Sequence, residues 1–121
     1  MLVVCGGGGI PVTHDPGEDC LGVEGVIDKD LTSALLAMEL DVANLLIITS
    51  TPGVYLDYGT DTERELTRLS LEEARRAIKE GQFPAGSMGP KIDASIQFLE
   101  SSSSSDARVI ITNIENMVDL L

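Results

Sequence analysis

Three short apolar runs constrain the fold of this chain more than any other feature: Leu2–Cys5, Asn44–Thr49 and Arg108–Ile111. Each is unbroken rather than alternating, which predicts a strand covered on both faces, as in a parallel sheet between helices. Long periodic stretches separate them, and parallel neighbours require such crossovers. The segments 2–5, 44–49 and 108–112 are therefore expected to share one sheet. The fold class is α/β, a three-layer α/β/α sandwich with a mainly parallel sheet. With 43% hydrophobic and only 3% aromatic residues, its core must be built from Val, Ile, Leu and Ala. The length of 121 residues corresponds to a single domain over 1–121.

Four helices are expected between and after the runs. Leu31, Ala34, Leu35 and Met38 recur at helical spacing behind Val26-Ile27-Asp28-Lys29-Asp30. Ser70-Leu71-Glu72-Glu73 is a capping box for a helix carrying Leu71, Ala74 and Ile78 and ending near Gly81. A third helix has Pro90 in its first position and Ile92, Ser95, Ile96 and Leu99 on one face. A fourth carries Ile114, Met117, Val118 and Leu121. Residues 10–26 read as a hairpin excursion, Val54-Tyr55-Leu56 as briefly extended, Asp57–Arg68 as polar turns, and the Ser101–Ser105 run as a flexible connector. The chain opens on an apolar run and closes on Leu120-Leu121 without a glycine cap. It is expected to be a piece of a larger α/β protein.

Three stretches carry chemistry. Gly86-Ser87-Met88-Gly89-Pro90-Lys91 opens a helix whose free N–H groups and dipole attract an anion, with Lys91 adding a point charge. Spacing alone favours the plainer reading, a glycine-rich helix entry with a solvated lysine. Asp28 and Asp30 suit a helix start, whereas Lys29 has the wrong sign there and can hold a phosphoryl group. Gly6-Gly7-Gly8-Gly9 follows the first apolar run, where an α/β sheet binds ligand, though a simple flexible turn fits as well. Two of the three lysines, Lys29 and Lys91 but not Lys79, sit inside these stretches.

A net charge of −12 argues against nucleic acid and against an anionic membrane surface. Cys5, expected buried, and Cys20, expected exposed, are too few for a disulfide framework or a metal site, and a reducing cytoplasm is the default. His14, the only histidine, sits in a turn with no nucleophile or ligand partner nearby in sequence. Tyr55 either offers a flat face to a base or simply packs.

Three segments together closely resemble the carbamate kinases of the amino acid kinase family, in order and spacing. They are Val4-Cys5-Gly6-Gly7-Gly8-Gly9-Ile10-Pro11-Val12, Gly22–Leu31, and Phe83-Pro84-Ala85-Gly86-Ser87-Met88-Gly89-Pro90-Lys91. The similarity runs over essentially the whole chain and matches the family's C-terminal, nucleotide-binding half. By this resemblance Lys29 and Lys91 contact the transferred and nucleotide phosphates, and Asp30 orients both lysines. Gly86, Ser87, Met88 and Gly89 form the nucleotide turn, Met88 and Gly89 through backbone N–H groups, and Tyr55 lies near adenine. The run Gly6, Gly7, Gly8, Gly9 is a candidate phosphate or substrate loop.

The resemblance implies ATP/ADP with Mg²⁺, no resident protein-bound metal, carbamate or carbamoyl phosphate as small-molecule substrate, a homodimer and a cytoplasmic enzyme. It implies interconversion of carbamoyl phosphate plus ADP with ATP plus carbamate in the complete protein, these 121 residues alone being inactive. Two departures stand out. Thr49-Ser50-Thr51-Pro52 replaces the family's usual Thr-Asp-Val-Asp, and the family's N-terminal half has no counterpart. The alternatives are a non-catalytic nucleotide-binding or assembly module, and a family member with another acceptor.

Overall fold

The computed structural model describes residues 2–7, 9–13, 16–17 and 19–117. Its elements run β1 (Val12–Thr13), β2 (Leu21–Gly22), α1 (Lys29–Glu39), β3 (Asn44–Ile48), β4 (Val54–Leu56) and β5 (Arg64–Leu66). Then follow α2 (Leu71–Lys79), α3 (Met88–Ser101), β6 (Arg108–Thr112) and α4 (Ile114–Met117). The expected hairpin excursion is present as the antiparallel pair β1–β2. β3 and β6 pair in parallel, with Asn44 opposite Arg108 and Ile48 opposite Thr112.

Leu2–Cys5 does not join that sheet. It forms no strand, and Leu2, Val4 and Cys5 are exposed, contrary to the expected buried run and buried thiol. An apolar run specifies burial but supplies only one half of a ladder. Among the described residues no strand pairs with it. The expectation of burial on both faces fails in β3 as well. Leu45 and Ile47 are buried under helices, while Leu46 and Ile48 on the other face are 41% and 40% exposed. α1 and α3 both pack on the covered face, and no helix among the described residues covers the other.

α3 is the hub. Ala94 and Phe98 meet Ala34 and Ala37 of α1 and Leu45 and Ile47 of β3 in one cluster. Ile92 and Ile96 meet Val54, Ala74, Ala77 and Phe83 in a second. A single apolar face was expected; the helix is instead buried along two, because Ala94 and Phe98 lie off the Ile92–Ile96 line. In α1 the inward positions are Asp30, Ala34 and Ala37, and Leu35 is turned out to solvent. The small alanines let α1 and α3 approach closely.

The polar segment 57–68 hides β5, which returns antiparallel on β4 with Tyr55 opposite Glu65. Its charged residues mask a short edge strand, a common sequence of such edges. The serine run is an ordered turn: Ser102 and Ser104 hydroxyls accept from the N–H groups of Ser104 and Asp106, and Ser103 donates to Asp41. Pro90 is the third helical residue rather than the first, still within the turn where no N–H is required. Of the expected fourth helix, Val118 and Leu121 lie outside the described residues, as do Met1, Gly8 and His14.

The capping box of α2 forms as expected. The Ser70 hydroxyl accepts from the Glu73 N–H, and the Glu73 carboxylate accepts from the Ser70 N–H and hydroxyl. Gly81, at φ 73°, ends the helix. The Ser70 hydroxyl first, then the Ser70 backbone, hold the Glu73 carboxyl below the usual glutamate range. A carboxyl depressed in the folded state stabilises it above the unfolded pKa, and that contribution is lost as pH falls through the folded value. Urea denaturation should therefore show Ser70→Ala costing about 1 kcal/mol at pH 7. Glu73→Gln should flatten the acid limb of the stability profile; an unchanged acid limb would remove the carboxylate from this role.

Candidate functional site

Two helix starts converge on one carboxylate. Asp28 caps α1, its Oδ1 accepting from the N–H groups of Asp30 and Leu31 at 2.9 Å each. This cap fixes the first turn and points Asp30 inward, where it is 6% exposed. From the start of α3, Lys91 reaches it with Nζ 2.8 Å from Oδ2. Lys91 is itself 8% exposed. Lys29 meets the same carboxylate at 3.3 Å to both oxygens, but its side chain is half exposed. Asp30 thus sits between two ammonium groups, one buried and one open to solvent.

A buried pair of this kind is valuable for position more than for net stability, because desolvating both ions offsets most of the attraction. Losing one partner is different, since the other is left charged in a poorly hydrated place. Lys91 Nζ also lies 3.5 Å from the Ser87 carbonyl. An ammonium has three donors, so capacity remains for an anion.

The glycine turn is built around a single carbonyl. Pro84 O accepts from Ser87 N at 3.2 Å and from Gly89 N at 2.9 Å. A Cβ on residue 89 would lie 2.9 Å from that same oxygen, so the backbone approach requires glycine. This corrects one expectation: the Gly89 N–H is already engaged and is not offered to a ligand. The Met88 N–H, first of the helix, has no partner among the described residues. Ser87 does not cap with its side chain, and Gly86 stands in the open with no atom near its missing Cβ.

Beside this turn lies a cleft of about 90 Å³ lined by Thr51, Tyr55, Tyr58, Phe83, Ser87 and Met88, among others. Tyr55 and Tyr58 meet edge to face, ring centres 5.8 Å apart. Gln82 sets the cleft's width: its amide accepts from Asp57 N at 2.8 Å and donates to Asp57 Oδ1 at 3.0 Å, tying the β4–β5 hairpin to the turn. Partial burial, then Glu65, Glu63 and Tyr58, raise the Tyr55 phenol, which keeps it protonated and able to donate. Tyr55, Ser87 and Met88 therefore come together, with Lys91 one turn beyond.

The glycine run is less committed. Gly6, Gly7 and Gly9 are exposed, and Gly8 lies outside the described residues. Gly9 approaches Ile27, whose Cδ1 would be 2.9 Å from a Cβ there, so the run ends beside the entry to α1. Sequence reasoning missed Tyr58, Gln82 and Phe83. Only Phe83, an apolar residue immediately before the Pro84 turn, carried a signal.

Asp30→Asn should destabilise the fold by about 3–5 kcal/mol, because it strands a buried ammonium. Adding Lys91→Met should recover much of that loss. Urea denaturation of the two single variants and the double variant measures the coupling; additive losses would mean that the two groups do not interact.

The chain matches the amino acid kinase family over residues 1–113. It is 43% identical to carbamate kinase 3 of Staphylococcus aureus over all 121 residues, which span 38% of that protein. It is equally 43% identical to the carbamate kinase of Pyrococcus furiosus, spanning 37% of it. A solved carbamate kinase from Giardia lamblia bound to AMP-PNP superposes with TM-score 0.82 at 38% identity, covering 93% of this chain and 34% of the other. The chain therefore spans somewhat more than a third of the relatives it matches. With its α/β fold and parallel strand pair, it belongs to the amino acid kinase family.

Proposed function

We propose that this chain is the nucleotide-binding part of a carbamate kinase. In the complete protein it transfers a phosphoryl group between carbamoyl phosphate and ADP, giving carbamate and ATP, and runs the reverse. The observation that carries the proposal is the carboxylate shared by Lys29 and Lys91 at the meeting of two helix starts. Phosphoryl transfer requires in-line positioning and neutralisation of charge on the equatorial oxygens, with little covalent work for the protein. Lys91 and the Met88 N–H receive nucleotide phosphate, and Lys29 faces the transferred group. Asp30 positions both lysines without touching substrate. Tyr55 and Tyr58 flank the base, and the Gly6–Gly9 run closes on the acceptor side.

The donor set also fits the expected Mg²⁺ use. Mg²⁺ prefers phosphate and water oxygens over an all-protein cage. Asp30, the one buried carboxylate among the described residues, is committed to lysines, so the ion would be carried by the nucleotide and would neutralise phosphate charge when bound. The rest of the protein supplies the acceptor site and a helical layer over Leu46 and Ile48, completing a three-layer α/β/α sandwich. A cytoplasmic homodimer accompanies this reading.

Calorimetric titration with AMP-PNP tests it on the chain itself: micromolar to millimolar binding, weakened at least tenfold by Lys91→Met, is expected on the scale of a lost charged hydrogen bond. A hybrid in which this chain replaces the matching part of the S. aureus enzyme tests catalysis. There Lys91→Met should lower turnover by about 10²–10³, as removal of one transition-state donor does. A second reading, a non-catalytic nucleotide-binding module, is favoured by the Ser50-Thr51-Pro52 departure, of which Thr51 lines the cleft. It predicts nucleotide binding with an inactive hybrid.

A further inference from the structure

Asp57 follows β4 in the left-handed region, at φ 51°. Few residues with a side chain adopt that conformation, aspartate and asparagine more readily than most, and it persists where neighbours hold it. The holding group is Gln82. Its Oε1 accepts from the Asp57 N–H at 2.8 Å, and its Nε2 donates to Asp57 Oδ1 at 3.0 Å. Two bonds on one planar amide fix orientation as well as distance, which one bond would not. Among the described residues, the other hydrogen bonds of segment 57–63 stay within it: the Asp57 carbonyl accepts from Thr60 N and Oγ1, and the Glu63 carboxylate from Gly59 N.

Gln82 is itself anchored from behind. Where α2 ends, the Gly81 N–H donates to Ile78 O and the Gln82 N–H to Ala77 O, both at 3.0 Å, a paired closure that fixes the helix end. Beyond it Phe83 is buried, and Pro84 gathers the turn that carries Ser87 and Met88. Gln82 thus stands on the frame of one cleft wall and grips the residue next to Tyr58 on the other. Tyr58 is 57% exposed, so packing alone does not fix it. Its edge contact with Tyr55 carries any shift of Tyr58 to the neighbouring ring.

We propose that Gln82 and Asp57 are positioning residues for the nucleotide base. Their tie holds the Tyr55–Tyr58 wall at the distance where a flat ring is gripped against Met88. Stacking on an aromatic face falls away quickly once the ring is displaced, so a fixed wall binds a base that a loose one does not. The tie governs base affinity, whereas phosphate charge is met by Lys91, one turn further along α3. The inference rests on the nucleotide reading and adds to it which side chains set the grip on the base.

Calorimetry with AMP-PNP and with inorganic tripolyphosphate, which has the charge and no base, separates the two contributions. Gln82→Met removes both bonds without changing charge, and Gln82→Glu sets two carboxylates face to face. Each should raise the AMP-PNP dissociation constant about tenfold. Combining Gln82→Glu with Asp57→Asn reverses donor and acceptor and remakes the tie, so the constant should return to within about threefold of the unsubstituted chain. Tripolyphosphate affinity should not follow Gln82→Met, while Lys91→Met weakens both ligands. Both tied residues lie outside the core clusters, so the fold is preserved. The chain has two tyrosines and no tryptophan, and both tyrosines line the cleft, so tyrosine emission reads the cleft alone. It should respond saturably to AMP-PNP and not to tripolyphosphate. Unchanged AMP-PNP affinity in Gln82→Met, no recovery in the double variant, or an equal loss or equal emission response with tripolyphosphate would each overturn the tie's role and leave the nucleotide reading standing. No AMP-PNP binding by the unsubstituted chain would overturn both.

Discussion

The ion pair between Asp30 and Lys91 is the contact on which the rest of the site depends. It joins the first turns of two helices through residues that are 61 positions apart in sequence. Each helix is also held by packing, but packing of Ala34 and Ala37 on Ala94 and Phe98 fixes distance better than rotation. The charge pair fixes rotation. With Asp28 capping α1 and Pro84 gathering the turn before α3, the two starts can present their lysines from one side only. Because desolvation offsets much of its attraction, such a pair is better understood as a locator than as a source of stability.

Lys29 was legible in the sequence, because charge of the wrong sign at a helix start is hard to explain structurally; Lys91 stood out by its place in the glycine turn, and Asp30, which suits a helix start, took its role from the resemblance alone. Their convergence was not legible. Nothing in the spacing of Lys29 and Lys91 says that two helices meet, and only the resemblance brought them together before the fold did. β3, β6 and the α2 capping box were readable from local chemistry. β5 was not, because Arg64 and Glu65 disguise an edge strand as a solvated turn. Leu2–Cys5 shows the opposite failure: a strong strand pattern with no strand, since a pattern encodes what a segment wants to bury and never who covers it.

The glycines divide by physical role. Gly89 is required by a backbone oxygen, and Gly81 by a left-handed helix end. Asp41 performs the second task at the end of α1 without being glycine, at φ 48°, so helix termination was predictable in one place and hidden in the other. Gly89 was expected to offer its backbone N–H to a ligand. Gly89 instead spends its donor on Pro84, which leaves shape as its contribution, while the Met88 N–H has no partner among the described residues.

The parallel pairing of Asn44 with Arg108 spans 64 residues. Its closure must wait until the hairpin, α2 and α3 have all been made, and long-range pairings of this sort slow folding. During synthesis β3 leaves the ribosome well before β6, so Leu45 and Ile47 spend that interval with α1 as their only nearby cover. The same strand that anchors the finished sheet is thus exposed to association on the way there. The strongly acidic character of the chain has a second use in that light: it keeps half-made copies apart while the sheet is incomplete.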